Sequence, residues 1–242
     1  MNKCLEIKNL NKYFDKNLII DNVSFALDEG EILAILGPSG CGKSTILNII
    51  SGLEKDYDGI IYLKNNPNIS YMFQEDALLN HLNVYKNASL GLILNHTRTI
   101  SSFKEIDNML KEYKLINYKD KNINSLSGGM KKRLSLIRAL ATNPTLLLLD
   151  EPFSALDFYS RIRVSDDVLK KIRTKKISTI IITHDIEEAI YFADRIIILT
   201  KKPAKIKKVI DVNIDKKLKI MDKRKTEEFN QLLDDIWSVL DE

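Results

Sequence analysis

Between Gly37 and Thr45 the chain reads GPSGCGKST, directly after the apolar run ILAIL. The spacing G-x-x-x-x-G-K-[ST] is that of a loop that cradles nucleotide phosphates. Glycines let the backbone curl so that successive N–H groups face phosphate oxygens, and the positive end of a following helix strengthens that field. Lys43 can neutralise the β and γ phosphates, and the Ser44 hydroxyl can bind Mg²⁺, a cation that prefers a shell of oxygens. The residues assigned to nucleotide binding are therefore Ser39, Gly40, Cys41, Gly42, Lys43, Ser44 and Thr45.

Two further groups could complete a hydrolysis site. The run LLLLDE places Asp150 and Glu151 at the end of an apolar strand. Burying paired carboxylates is costly unless a cation lies nearby, so Asp150 is assigned to the metal. Glu151 then stands where it can orient or deprotonate an attacking water. Helix capping is the structural alternative, but Pro152 prevents a helix from running through Glu151. His184 ends a similar apolar run, STIIIT, and is a third candidate, whereas His81 and His96 are assigned no chemistry.

These groups need a scaffold that gathers strand ends. Apolar strands are expected at 4–10, 24–27, 32–36, 60–63, 70–73, 145–149, 178–183 and 195–200. Helical periodicity is clearest at 44–50, 128–141, 159–171 and 186–193. Runs that are apolar throughout belong to strands covered on both faces, so the alternation predicts an α/β fold with a largely parallel sheet. The polar stretch from about Asp76 to Asn124 reads as a mostly helical insertion. Near the end, EEFNQLLDDIWSVL puts Phe229, Leu232, Leu233, Ile236, Trp237 and Leu240 on one helical face, read as a helix docked on its own domain.

Composition narrows the functional classes. With 242 residues, 44% of them hydrophobic, the chain can bury a substantial core, which excludes disordered and fibrous classes. No apolar run exceeds about five residues, against roughly 20 for a bilayer-spanning helix. The amino terminus lacks a secretory core, so the protein is expected to stay in the cytosol. Two cysteines, Cys4 and Cys41, are too few for a disulfide framework and are read as small packing residues. A net charge of +4, from 37 basic and 33 acidic residues, is too mild to imply nucleic acid, and the lysines between Lys201 and Lys208 are read as a solvated face.

The segment Leu126-Ser127-Gly128-Gly129-Met130 resembles the LSGGQ signature of the ATP-binding subunits of ABC transporters. Physically it is a second anion site, with Ser127, Gly128 and Gly129 opening a helix. The resemblance covers roughly Leu5 to Lys208 and implies a P-loop NTPase core with a mainly parallel sheet, an N-terminal antiparallel β portion and an inserted helical subdomain. In those terms residues 1–208 form the ATPase domain with 75–143 inserted in it, and 209–242 form a short helical extension. Gln74 resembles the glutamine that contacts Mg²⁺ and links nucleotide state to the membrane partner. Residues Ser154-Ala155-Leu156-Asp157 resemble the loop that communicates across a dimer, and His184 resembles the switch histidine near the γ-phosphate. Phe14 corresponds to the aromatic that stacks on adenine, with Tyr13 as the alternative.

What the resemblance implies is ATP hydrolysis with Mg²⁺ in a head-to-tail homodimer, or a pseudo-dimer with a second ATPase subunit. Each ATP would lie between one copy's phosphate loop and the other's signature segment. The expected setting is peripheral, at the cytoplasmic face of the membrane, with separate permease subunits, an extracytoplasmic solute-binding protein and no nucleic acid. Finer motifs are similar to importers of nitrate, sulfonate and taurine. Three positions depart from that pattern: Asn80-His81 replaces Pro-Trp, Lys132 replaces Gln and Ile137 replaces Ala. The tail is too short for the regulatory β-domain of some importers. A soluble ABC-type ATPase in translation or DNA repair, an exporter subunit and a non-hydrolysing ATP sensor are the alternatives.

Overall fold

A computed structural model describes residues 2–95, 97 and 99–241; His96 lies outside the described residues. The chain forms two compact units, one made of Met1–Pro67 with Asp166–Glu242 and the other of Asn68–Ser165.

The first unit opens with strands β1 (Lys3–Phe14) and β2 (Asn17–Asp28), then β3 (Ile32–Leu36), helix α1 (Lys43–Ile50) and β4 (Asp58–Leu63). β1 pairs antiparallel with β2 on one side and β4 on the other, which is the expected antiparallel portion. Both hairpin strands are longer than their apolar runs predicted. Register shifts after Ile7 and Leu10 break the two-residue alternation that marks a half-buried strand. Asn9 and Asn22 take positive φ at these irregularities, and their backbone N–H groups are satisfied by the Ser24 hydroxyl and the Asn11 side chain.

The second unit begins with β5 (Ile69–Met72) and continues through α2 (Val84–Leu94), α3 (Ile100–Glu112), α4 (Gly128–Ala141) and β6 (Leu146–Asp150) into α5 (Phe158–Lys175), in which the unit boundary falls. β5 and β6 pair parallel, with Met72 opposite Leu149. The three helices α2, α3 and α4 pack on one another. A Cβ on Gly91 would lie 2.4 Å from the Thr142 methyl, so only glycine permits so close an approach.

The first unit then resumes with β7 (Ser178–Ile182), α6 (Ile186–Phe192), β8 (Arg195–Leu199), β9 (Ile206–Asp211), α7 (Ile220–Lys223) and α8 (Glu227–Asp241). Its strands run in the order β7-β3-β8-β9, parallel except for β9. Every residue of β3 and β7 is buried, as their unbroken apolar sequence predicts. The sequence reading missed β9, which runs across the boundary expected at 208. Its lysines are exposed, though Lys207 Nζ also donates to the Val239 carbonyl of α8, and the backbone pairs with β8; exposed lysines are a usual way to protect a sheet edge.

Helix α8 docks on α6, where Phe229 stacks on Tyr191 with ring centroids 5.2 Å apart. Phe229, Ile236 and Val239 are its buried residues, with Leu232, Leu233 and Leu240 half-buried. Trp237 was expected on that face but is 52% exposed, because Val239 takes the inward position instead. Phe229→Ala should therefore cost about 3–5 kcal/mol in denaturant unfolding, while Trp237→Ala should cost under about 1. Equal effects would show that α8 is seated on a different face.

Candidate functional site

The phosphate loop begins where β3 ends. Gly42 has φ 119°, and a Cβ there would come within 3.2 Å of Ile19, so the β2 hairpin arm sets how closely the loop can turn. Cys41 is buried beneath the loop, consistent with a packing role. The Lys43 ammonium donates to the carbonyls of Gly37 at 2.7 Å and Pro38 at 2.9 Å, which draws it across the loop. Ser39 and Gly40 are exposed, and Ser44 and Thr45 occupy the first turn of α1, where backbone N–H groups have no partner within the helix.

Parallel pairing brings His184 to the same edge. Ile35 lies opposite Ile182, so the residues two beyond each, Gly37 and His184, follow the carboxyl ends of adjacent strands. Ligands gather at such strand ends in open α/β sheets. The flanks of His184 are held by a closed set of bonds. Asp185 caps α6, its N–H donates to the Thr183 hydroxyl at 3.0 Å, and that hydroxyl donates to Glu188 at 3.1 Å. Phe14 is 45% exposed at the hairpin tip, with the Lys12 ammonium 4.6 Å from its ring centroid. Burial opposes the Lys12 charge, but hydrogen bonds to Asp56 and Glu54 outweigh it and raise the pKa. The cation occupies one side of the Phe14 ring; Tyr13 is similarly exposed, at 47%.

In the second unit the same geometry recurs. Met72 opposite Leu149 puts Gln74 and Glu151 just past the ends of β5 and β6. Asp150 is 2% exposed, and the Tyr71 hydroxyl hydrogen-bonds to it. Burial and then the Asp150 charge push the Tyr71 phenol well above its usual range, so it stays protonated and donates. Glu151 has φ 47°, a left-handed backbone in a non-glycine residue, and the Ser154 hydroxyl donates to its carbonyl at 3.2 Å. Such strain concentrates at functional positions.

Ser127 caps α4, accepting from Met130 N, and both Ser127 and Gly128 are exposed at the helix start. The position of a Cβ on Gly128 is open, whereas on Gly129 it would lie 3.2 Å from the Ala155 carbonyl. The signature segment thus rests on the loop containing Ser154 to Asp157. Asp157 also caps α5 by accepting from Ser160 N at 3.0 Å. His81 and Asn80 are exposed on a loop whose backbone is gathered by the buried Asn87 side chain, bonded to Leu79, Leu82 and Asn83. Tyr71 was not singled out in the sequence, where it reads as an ordinary strand aromatic, and of the row Lys132, Ser135 and Arg138 on α4 only Lys132 was noted, as a departure from the usual Gln.

Among the described residues no cluster of three or more His, Cys, Asp or Glu could hold a metal alone. The residues expected to serve Mg²⁺, Ser44 in the first unit and Gln74 and Asp150 in the second, each offer oxygen, the ligand atom that Mg²⁺ prefers. No helix among the described residues is long and apolar enough to cross a membrane.

A family model described as "ABC transporter" matches residues 20–154, more than half of the chain. The chain belongs to the ABC transporter family. Its relatives include the Fe(3+) ions import ATP-binding protein FbpC 2 of Haemophilus influenzae, 39% identical over 82% of this chain and 59% of that protein. The chain therefore spans about three fifths of that relative's length. The aliphatic sulfonates import ATP-binding protein SsuB of Bacillus thuringiensis subsp. konkukian is 36% identical over 87% of this chain and 86% of that protein. Among solved structures, the dimeric MJ0796, a bacterial ABC transporter cassette, aligns with a TM-score of 0.79 at 30% identity, covering 86% of this chain and 99% of that one. These structures bear out the α/β P-loop fold expected for the family.

Lys43→Ala removes the single charged side chain of the loop. Its affinity for a fluorescent ATP analogue should fall by at least about tenfold, the size of losing a charge-assisted contact to phosphate. Unchanged binding would exclude the loop as the nucleotide site.

Proposed function

We propose that this chain binds ATP with Mg²⁺, hydrolyses it, and powers import of a small solute through separate membrane permease subunits. The observation that carries this reading is the presence of two anion cradles in one chain: the Lys43 loop after β3 and the exposed Ser127–Gly128 start of α4. One nucleotide does not require both. Two copies placed head to tail use both, each ATP lying between the Lys43 loop of one and the Ser127 end of the other. A solved cassette that aligns with a TM-score of 0.78 at 29% identity is described as a dimeric post-hydrolysis state bound to ADP and Pi, which supports the reading.

In this account Lys43 and the amides of Gly40 to Thr45 bind the triphosphate, Ser39 lines the loop, and Phe14 stacks on the base with the ring side that Lys12 leaves open. Ser44, Gln74 and Asp150 would hold Mg²⁺, which neutralises charge between the phosphates when bound. Glu151 orients and deprotonates the attacking water, and His184 contacts the γ-phosphate. Such catalysis is mainly positioning and charge stabilisation. Residues 75–143 serve as the helical subdomain facing the permease through Gln74 and the Asn80–His81 loop, and the segment beyond β9 is an extension. The dimer is a homodimer or a pseudo-dimer at the cytoplasmic membrane face, served by an extracytoplasmic solute-binding protein. Import of a sulfonate-like, nitrate-like or taurine-like solute is favoured because the match to SsuB spans most of both chains.

Glu151→Gln keeps the size and backbone of the residue but removes the base. It should bind ATP within about twofold of wild type while releasing phosphate about 100- to 1,000-fold more slowly. Wild-type turnover in that variant would refute Glu151 as the base, and absence of phosphate release by the wild-type protein would favour an ATP sensor.

A further inference from the structure

Lys132, Ser135 and Arg138 recur every third residue on α4 and so form a row along one helix face. Each donates to a backbone carbonyl of the segment following β5. Lys132 Nζ reaches Gln74 O at 2.7 Å, and Ser135 Oγ reaches Asp76 O at 2.7 Å. Arg138 spans the next step, with Nη2 on Asp76 O at 2.9 Å and Nη1 on Ala77 O at 2.8 Å. Lys132 is 3% exposed, so its bond to Gln74 is sheltered from water and charge-assisted. Ala77 has φ 47°, a conformation that a residue with a Cβ avoids unless its surroundings impose it. The segment is thus held in a disfavoured shape by donors from a single helix.

That helix is also the one that Ser127 caps. We propose that Lys132 is a positioning residue that straps Gln74 to the signature helix, so that seating Ser127 on the partner's ATP sets the place of Gln74 at the chain's own ATP. The strap couples the two nucleotide sites of the dimer through one rigid element. The inference rests on the roles proposed above for Ser127 and Gln74. It assigns a function to a residue that the sequence marked only as a departure from the usual Gln.

The test compares the full-length chain with its Lys132→Met and Lys132→Gln variants, reading fluorescent-ATP binding and the ATP dependence of phosphate release. Lys132→Met should bind ATP within about twofold of wild type, lose about tenfold in kcat, and drop from a Hill coefficient of about two toward one. Lys132→Gln retains an N–H donor and should keep at least about half of the turnover and most of the cooperativity. A Lys132→Met variant with unchanged kcat and cooperativity overturns the strap, as does identical behaviour of the Met and Gln variants. Should Lys132→Met fail to fold, Arg138→Gln, at the outer end of the row, should show the same split between binding and turnover, and unchanged cooperativity there overturns the strap equally. Gln74→Ala separates the layers. If it leaves turnover intact, the role of Gln74 fails and the strap with it; if it cripples turnover while Lys132→Met does not, the strap alone is refuted.

Discussion

A triphosphate carries several negative charges within a few ångströms, and no single side chain can balance them. Oriented backbone N–H groups at a helix start, reinforced by one lysine, are the economical answer. In the proposed reading the Lys43 loop supplies one such set, and the N–H groups at the Ser127 start of α4 supply a second. The loop depends on Gly42 turning against Ile19 and on β3 being pinned between β7 and β8. In the first unit the parallel pairing of β3 with β7 and β8 sets the strand end from which the Lys43 loop runs into α1.

The supporting interactions share a pattern. Polar side chains hold the short loops that carry the proposed site residues. Thr183 and Glu188 brace the backbone beside His184. Tyr71 donates to Asp150, the kind of contact that a second-sphere partner would make to the metal ligand proposed there. Asn87 gathers the loop of Asn80 and His81, and Lys132 holds Gln74. Glu151 and Ala77 sit in left-handed backbone conformations within these loops. Each such residue costs of order 1 kcal/mol or more, which the packed strands on either side must offset.

Legibility followed the physics of each element. Strands β3, β6 and β7 were readable because both faces are buried and every residue is apolar. The placement of the phosphate loop after β3, of Asp150 and Glu151 at the end of β6, of His184 just past β7 and of the start of α4 at Gly128 was readable because such motifs restrict residue type and spacing. The reading weakened where that restriction relaxes. Bulges at Asn9 and Asn22 broke the alternation of the hairpin. Strand β9 is an edge whose lysines disguise it, and α8 has more apolar residues than its docking face can bury, so Trp237 was placed inward when Val239 is. Side-chain-to-carbonyl bonds such as that of Lys132 leave almost no trace in sequence, because any long donor can make them.

The central claim is that one ATP is held by two copies of the chain. Sedimentation velocity of Glu151→Gln, with and without ATP, tests it most directly when repeated with Ser127→Arg added. The account predicts a monomer without nucleotide and a dimer with ATP, and a return to monomer in the double variant although each chain still binds ATP. A double variant that pairs as well as the parent, or a parent that stays single at saturating ATP, would contradict the shared site.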